Sequence, residues 1–254
     1  LDVVFNFNFG SIKEFSVKRI YDELQSMEKN MQNYPTLFFG SHDMPRLVDR
    51  LAKTNPKRAE ALAALMLTAK GVPFIYYGEE IGMENIEANS VNEMMDIQGR
   101  TQYELALKEG KSGVEALKFG NEHNRDKSRS PMQWNNQSFA GFSDKSSWIK
   151  VNPNYTNLNV ATLEKNENSI LNKYKKLIAL RNSQPTLQYG IYNKLSFSDD
   201  CISFERTFNG EQIQCYFNFG KQSIEIKIKP EERILAGKNT IQPDTFLILK
   251  SSDI

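Results

Sequence analysis

The chain has 254 residues, of which 39% are hydrophobic and 25% are charged, a composition typical of globular proteins with a proper core. With 32 basic and 31 acidic residues, the net charge of +1 gives no electrostatic reason to bind nucleic acid or an anionic membrane. Two cysteines exclude a four-thiolate zinc site and a disulfide-stapled miniprotein. No apolar run approaches the ~20 residues that span a bilayer, and the N-terminal residues show no signal-peptide pattern.

The first part of the chain predicts alternating strands and helices. Ser16 is placed to cap one helix, and Asn55 followed by Pro56 is a start signal for the next. In chain order, a strand, a helix, a strand, a helix and a strand are predicted over 1–9, 17–27, 36–39, 58–70 and 72–77. This alternation favours parallel strands joined by right-handed crossovers.

The pattern changes twice after this region. Residues 79–168 are polar and rich in turn residues, with one helical stretch near 101–106, so they predict a subdomain or a functional excursion. A helix begins again at Ile170. From about Tyr189 the chain predicts short antiparallel strands, with a hairpin over 201–219 that turns at Asn209-Gly210.

The two cysteines, Cys201 and Cys215, lie in this hairpin. We expect them to share one face of it without being directly opposite, as reduced and mostly buried thiols.

Two polar segments follow predicted strands, where parallel α/β folds place their active sites. Ser41-His42-Asp43-Met44-Pro45-Arg46 combines an acid, an imidazole and a guanidinium that could hold polar hydroxyls, although a structural turn explains it as well. For Glu79-Glu80 a structural role is favoured, because adjacent carboxylates point in different directions.

The excursion contains a basic cluster, 123–129, followed by Trp134 and Trp148. The cluster is interpreted as a solvated surface. The tryptophans predict either a platform for a sugar ring or the core of a subdomain. Phosphate-cradling loops, nucleophile elbows and paired metal-binding histidines are absent from the sequence.

Read together, these segments resemble the C-terminal half of glycoside hydrolase family 13, the α-amylase family, in its group of oligo-1,6-glucosidases, α-glucosidases and trehalose-6-phosphate hydrolases. Phe38–Arg46 is similar to the family segment Asn-His-Asp-x-Pro-Arg after barrel strand seven, with Ser41 and Met44 as departures. Gly71–Met83 is similar to strand eight and its exit. Three further segments resemble the long insertion of this group, namely 125–134, 140–142 and 151–155.

The resemblance implies an α/β plus all-β fold. Residues 1–188 would hold strands six to eight of a (β/α)8 TIM barrel with the excursion at 79–168, and residues 189–254 an antiparallel β-sandwich. The family's nucleophilic Asp and general-acid Glu end strands four and five, so both are expected upstream of Leu1, and the fragment alone is expected to be inactive.

The resemblance also implies roles for three residues. Asp43 would be the transition-state stabiliser that holds the 2- and 3-hydroxyls of the distorted glucose. His42 would donate to the same sugar, and Arg125 would bind the 4-hydroxyl of a terminal glucose, which implies exo-action. The role of Arg46 stays open between a salt bridge that orients the loop and a ligand contact. No metal and no cofactor are implied.

The implied function is that of a retaining α-glucosidase for short α-1,6-linked or related glucosides. A trehalose-6-phosphate hydrolase and a non-catalytic binding or scaffold subunit are the alternatives. The expected partners are an oligosaccharide substrate and either the missing N-terminal barrel half or a second copy of the chain, without nucleic acid or membrane. A cytoplasmic location is expected from the habit of the group.

Overall fold

The computed structural model describes residues 3, 5–31 and 33–251. The chain divides into two compact units. The first unit comprises the described residues within Leu1–Phe39, Leu51–Phe74 and Asn172–Ile254, and the second comprises Gly40–Arg50 and Ile75–Leu171.

The beginning of the chain corrects the first predicted strand. Leu1, Asp2 and Val4 lie outside the described residues, and Phe7–Gly10 forms a short helix, α1. The side chain of Asn6 accepts a hydrogen bond from the amide of Asn8 at 3.1 Å, which caps this turn. The rings of Phe5 and Phe7 pack on Phe38 and that of Phe9 on Phe39, and none of these three phenylalanines lies in a strand. Over Phe7–Gly10, local capping therefore overrides the alternation that predicted a strand.

The helices of the first unit confirm the capping signals. Helix α2 spans Val17–Asn30 behind the cap Ser16, and α3 spans Pro56–Thr68 behind Asn55. The strands next to them are shorter than predicted. β1 (Thr36–Leu37) pairs in parallel with β2 (Val72–Pro73), so the parallel pairing is confirmed over two residues of each.

An antiparallel sheet of five strands completes this unit. Its order is β3 (Ile191–Ser198), β4 (Cys201–Phe208), β5 (Glu211–Asn218), β9 (Thr245–Ser251) and β7 (Glu232–Gly237). β6 (Ile224–Glu225) and β8 (Thr240–Ile241) form a second, two-stranded sheet. Between β4 and β5, Asn209 and Gly210 both adopt positive φ, 50° and 84°, as a tight hairpin turn requires.

The register of this hairpin corrects one expectation. Cys201 is opposite Asn218, and Cys215 is opposite Phe204. Because side chains alternate between the two faces of a strand, this register places the two cysteines on opposite faces of the sheet. Both are free thiols; Cys215 is buried and Cys201 is partly exposed.

The second unit contains more helix than the sequence predicts. Helix α4 spans Ile97–Lys108 where one helical stretch is predicted, and α5 spans Gly113–His123 where none is. α6 is short, Val160–Glu164. A small core of four buried residues holds the segments together, namely Ile81, Met83, Met132 and Leu171.

Helix α7 (Ile170–Ser183) confirms the helix expected from Ile170, and α8 (Pro185–Tyr189) follows it. Within residues 3, 5–31 and 33–251, every helix is too short or too polar to cross a membrane. Those same residues contain no cluster of three or more His, Cys, Asp or Glu side chains that could hold a metal ion.

Candidate functional site

A tight turn positions Asp43 in the loop that follows β1 along the chain. The amide of Asp43 donates to the hydroxyl of Ser41 at 3.2 Å, and the amide of Met44 donates to the carbonyl of Ser41 at 3.5 Å. The turn leaves the Asp43 side chain 47% exposed and the His42 side chain 66% exposed. Nε2 of His42 lies 3.2 Å from Oδ2 of Asp43. Both groups therefore lie side by side at a solvent-accessible surface.

Two arginines of the excursion converge on the same carboxylate. Oδ1 of Asp43 accepts hydrogen bonds from Nη1 of Arg125 at 3.2 Å and from Nη2 of Arg129 at 2.9 Å. Arg129 also donates from Nε to the carbonyl of His42 at 2.7 Å. The arginines fix the direction of the Asp43 carboxylate, because charge-assisted hydrogen bonds are strong and directional.

Arg125 is held from behind by Asp96, which precedes α4. The guanidinium donates from Nη2 to Oδ1 of Asp96 at 2.7 Å and from Nε to both carboxylate oxygens, at 3.2 and 3.1 Å. The backbone amide of Arg125 also donates to Oδ2, at 3.0 Å. A planar guanidinium bound in this bidentate way has little freedom to rotate.

Electrostatics strengthen this pair. The Asp96 side chain is 2% exposed, and although burial alone would raise its pKa, the hydrogen bonds from Arg125 hold the pKa of that carboxyl below its usual range. The hydrogen bond to Asp96 in turn raises the pKa of Arg125 further above its usual value. Both groups are charged at neutral pH.

A second acid positions Asp96. Oδ2 of Asp126 accepts hydrogen bonds from the backbone amides of Met95 and Asp96, at 2.7 and 3.0 Å. The backbone amide of Asp126 donates to the Asn124 side chain at 3.1 Å. Asp126 is buried. The cluster at 123–129, interpreted from sequence as a solvated surface, thus contains the internal support of the site.

Arg46 lies apart from this arrangement. Its side chain is buried, lies over the rings of Tyr76 and Tyr77 at 5.2 and 4.7 Å, and donates from Nη1 to the carbonyl of Tyr77. The sequence left open a salt bridge that orients the loop or a ligand contact. In the structure, Arg46 instead fixes the loop by cation–π packing.

Glu79 and Glu80 have separate environments, as the sequence favours. Glu79 is 3% exposed, and burial raises its pKa to about 8. Its Oε2 accepts the amide of Tyr76 at 3.3 Å. Glu80 is half-buried and accepts the amide of Gly78 at 2.8 Å. Both carboxylates bond to the backbone of their own turn, which is a structural arrangement.

The structure brings the predicted residues His42, Asp43 and Arg125 together. Sequence reasoning missed Asp96 and Arg129 as members of the site. For Arg129 a signal existed, since it follows Arg125 by four residues in the same basic cluster. For Asp96 there was none, because it lies 29 residues from its partner and precedes an unremarkable helix.

The arrangement is a carboxylate paired with two arginines, half open to solvent, beside an exposed imidazole. Such a carboxylate can accept hydrogen bonds from neutral hydroxyls, because its two oxygens are acceptors and only Oδ1 is bonded to the arginines. Asp43 can therefore hold a polyol or a sugar, while the buried Asp96 keeps the arginine in place.

Comparisons with known proteins agree with this chemistry. The family model for the α-amylase catalytic domain matches residues 4–190. An oligo-1,6-glucosidase of Halalkalibacterium halodurans is 34% identical over 214 residues, which cover 82% of this chain and 38% of that protein. A glucan 1,6-α-glucosidase of Streptococcus dysgalactiae is 34% identical over 211 residues, 82% of this chain and 39% of that protein.

A solved structure has the same fold. The trehalose-6-phosphate hydrolase TreA of Bacillus licheniformis superposes with a TM-score of 0.86 at 26% identity, over 99% of this chain and 52% of that one. The chain thus spans about two fifths of the length of the curated relatives it matches and about half of the length of this solved chain.

Proposed function

Because the chain belongs to the α-amylase family of glycoside hydrolases, we propose that it is the C-terminal portion of a retaining, exo-acting α-glucosidase for short α-1,6-linked or related glucosides. The observation that carries the proposal is the Asp43 carboxylate, ion-paired to Arg125 and Arg129 and half exposed beside His42. Two relatives that act on 1,6-linked glucosides support the linkage.

In this proposal Asp43 accepts hydrogen bonds from the 2- and 3-hydroxyls of the glucose whose bond is cleaved. Retaining hydrolysis passes through an oxocarbenium-like ring, and hydrogen bonds to such hydroxyls strengthen as positive charge develops. An ionised carboxylate held in advance by two arginines costs no reorganisation at that moment. His42 donates to the same ring, and Arg125 binds the 4-hydroxyl of a chain end.

The finer architecture belongs to the same proposal. β1 and β2 correspond to barrel strands seven and eight, and residues 189–254 form a β-sandwich. Ile241 of β8 forms one buried cluster with Leu247 and Leu249 of β9, and Ile226 and Ile228 pack against it. Because β8 and β9 belong to different antiparallel sheets, this cluster supports the sandwich. Residues 1–188 form the barrel portion.

The nucleophile and general acid are supplied by residues outside these 254. Retention needs two carboxylates about 5–5.5 Å apart across the scissile bond. Among the described residues, Asp96 is the other acid in contact with Arg125. Asp96 is buried, and its carboxylate is bonded to Arg125. The 254-residue chain alone is therefore expected to be inactive.

An apolar patch in the first unit supports the proposal that a partner completes the barrel. Phe5, Phe7, Val72 and Phe74 are 50%, 59%, 36% and 38% exposed, next to a sheet of only two described strands. Such edges and surfaces are normally covered. The missing barrel half covers them in the whole enzyme, and a second copy does so in the isolated chain.

The test compares this chain with the longest in-frame product that contains it. With isomaltose, the chain alone is expected to give no turnover above a buffer blank, and the longer product is expected to release glucose first as the α-anomer. In that product Asp43→Asn is expected to lower kcat by at least about 100-fold. Asp144→Asn, at an exposed acid of the same unit, is the matched control.

Turnover by the chain alone would contradict its inactivity, and a longer product with no glycosidase activity would contradict the proposed function. A trehalose-6-phosphate hydrolase is the second candidate, favoured by the structural similarity to TreA. Preference for trehalose 6-phosphate over isomaltose would select it. An upstream reading frame without the strand-four Asp and strand-five Glu would select a scaffold.

A further inference from the structure

The loop that carries Asp43 rests at both of its ends on one short turn. The Asp43 loop comprises Gly40–Arg46 and the turn comprises Tyr76–Glu79, and both belong to the second unit. At the end of the loop, Nη1 of Arg46 donates to the carbonyl of Tyr77, and the guanidinium lies over the Tyr77 ring at 4.7 Å. The turn therefore holds the loop on the C-terminal side of Asp43.

Glu79 holds the beginning of the loop. A Cβ atom at Gly40 would lie 2.1 Å from Oε1 and 3.1 Å from Cδ of Glu79, whereas ordinary contacts of a Cβ atom begin at 3.4 Å. The carboxyl group of Glu79 therefore lies directly against the backbone of Gly40, which is itself buried. Because protein interiors are close-packed, the group that fills this space determines where the loop begins.

Glu79 is fixed in turn by its surroundings. Its side chain is buried, and Oε2 accepts the amide hydrogen bond of Tyr76 at 3.3 Å. Oε1 accepts no hydrogen bond from the part of the chain that the structure describes. Since burial raises the pKa of Glu79 to about 8, the carboxyl group is mostly neutral at pH 7. The contact with Gly40 is thus a packing contact, which an uncharged group of the same shape can replace.

The same turn also holds the segment that contains the arginines of the site. The hydroxyl of Tyr76 donates to the carbonyl of Ser128 at 3.2 Å. The hydroxyl of Tyr77 donates to the carbonyl of Ser130 at 2.9 Å. Between these two carbonyls lies Arg129, which is bonded to the carboxylate of the Asp43 loop. Both partners of this ion pair are therefore positioned from the turn.

We propose that Glu79 is a positioning residue for glucoside cleavage, because it holds the loop at Gly40 and so places Asp43 against Arg129. This role rests on the proposed function. A carboxylate displaced by about 1 Å bonds the sugar hydroxyls poorly in the transition state, and such a displacement can cost about 100-fold in rate. The loss falls on kcat rather than KM when the bonds form mainly in the transition state.

The imidazole of His42 reports the position of the loop in the 254-residue chain. The chain contains two histidines, 42 and 123, so His42→Gln assigns both ring C–H signals in a proton NMR spectrum. At pH 7, Gly40→Ala is expected to shift the His42 signal and to leave the His123 signal in place. Gly113→Ala is the matched control and is expected to shift neither signal, since a Cβ atom at Gly113 meets open space.

Variants of Glu79 separate positioning from a general loss of stability. Glu79→Gln keeps the shape of the side chain and is expected to retain the His42 signal of wild type at pH 7, whereas Glu79→Ala is expected to shift it. In the double variant Gly40→Ala/Glu79→Ala the new methyl group enters the vacated space, where the next neighbour is Cβ of Tyr76 at 3.3 Å. The His42 signal is expected to return toward that of wild type.

An unshifted His42 signal in Glu79→Ala would overturn the proposal, and this variant decides alone if Gly40→Ala does not fold. A shift in Gly40→Ala that the double variant does not reduce would overturn it as well. In the longer product, Glu79→Ala is expected to lower kcat for isomaltose about 100-fold with little change in KM, and Glu79→Gln to retain kcat at pH 7.

The proposal and the proposed function fail in different ways. If the longer product hydrolyses isomaltose and Glu79→Ala leaves its kcat unchanged, the positioning role is wrong and the function stands. If the His42 signal responds as expected while no longer product cleaves a glucoside, the function is wrong, and the placement of the Asp43 loop by Glu79 stands.

Discussion

The guanidinium of Arg125 is bound by the carboxylate of Asp96 through three donor contacts of 2.7 to 3.2 Å, and this pair is what aims Arg125 at the candidate site. Asp96 is buried, whereas 35% of the Arg125 side chain is exposed. The pair thus joins the interior of the second unit to its surface. A group that binds ligand hydroxyls gains precision when its supporting contact lies below the surface.

Arg125→Ala is predicted to lower both binding and stability, because it leaves the Asp96 carboxylate buried without its charged partner. We expect the free energy of unfolding of the second unit to fall by about 2 kcal/mol, less than for a fully buried pair since Arg125 is partly exposed. Lys150→Ala, which breaks the exposed pair with Glu93, is expected to cost less than about 0.5 kcal/mol.

The pH dependence of this pair has a defined sign. The folded-state pKa of Asp96 is lowered, so its contribution is present above the unfolded pKa of about 3.9 and is lost as pH falls through the folded value. Wild type is therefore expected to lose stability below about pH 4, and Arg125→Ala to lose less there. Urea unfolding followed from pH 3 to 7 measures this; equal slopes for both proteins would contradict the assignment.

Glu79→Gln is predicted to abolish a loss of stability that wild type shows as pH rises from about 5 to about 8. Burial raises the pKa of Glu79 to about 8, and although Arg46 and Arg50 lower it, they do not offset burial. The folded state binds this proton more tightly than the unfolded state does. The contribution is therefore fully present below the unfolded value of 4.5 and is lost as pH rises through about 8.

Thermal unfolding between pH 5 and 9 tests this prediction. The Tm of wild type is expected to fall from pH 5 to about pH 8 and to level off above it, and the Tm of Glu79→Gln to fall less, so that the variant is the more stable protein at pH 9. Glu109→Gln, at an exposed acid, is the control and is expected to follow wild type. Parallel curves for wild type and Glu79→Gln would show that Glu79 is ionised throughout.

Local signals explain which helices could be predicted. Ser16 and Asn55 cap α2 and α3 with their own side chains, and α2 buries one regular apolar face, whereas α3 is buried on all sides from Ala61 to Thr68. Helix α5 lacks such a face, since Val114 is 81% exposed and the residues buried in it are Ala116 and Gly120. Its start signal was nevertheless present, because Ser112 and Glu115 form a reciprocal capping box.

The remaining differences come from contacts between distant residues. The backbone amide of Asn6 donates to the side-chain hydroxyl of Thr36 at 2.8 Å, a contact between residues 30 positions apart. Asp96 is paired with a residue 29 positions away. Neither relationship leaves a periodic trace, whereas the motif around Asp43 does, because turn chemistry and functional groups lie within one short segment.

Arg206→Leu is predicted to destabilise the first unit strongly. Arg206 is fully buried and donates to the carbonyl of Thr68 at 2.7 Å and to that of Gly190 at 3.1 and 2.6 Å. These carbonyls belong to the C-terminal ends of α3 and α8, where a positive charge is favoured. Removing the guanidinium leaves both without this donor, at an expected cost of about 3 kcal/mol.

Arg233→Leu is the matched control, since Arg233 is an exposed arginine in the same sheet. This substitution is expected to lower the free energy of unfolding by less than about 0.5 kcal/mol. Guanidinium unfolding followed by circular dichroism compares the two. A similar small loss for both variants would show that the carbonyls of Thr68 and Gly190 find other donors when Arg206 is removed.

Cys215 is predicted to be chemically inert in the folded protein. Its side chain is buried in the sheet, and burial raises the pKa of its thiol to about 12. At pH 8 only about one thiol in 10⁴ is then ionised, and the thiolate is the reactive form. Cys201 is partly exposed, and burial also raises the pKa of its thiol, so it reacts slowly.

Titration with a disulfide reagent at pH 8 is expected to modify one thiol slowly in the native chain and both after unfolding. In Cys201→Ser the native reaction is expected to disappear, whereas Cys215→Ser is expected to retain it. A rapid reaction of two thiols in the native chain would mean that the face of the sheet carrying Cys215 opens to solvent.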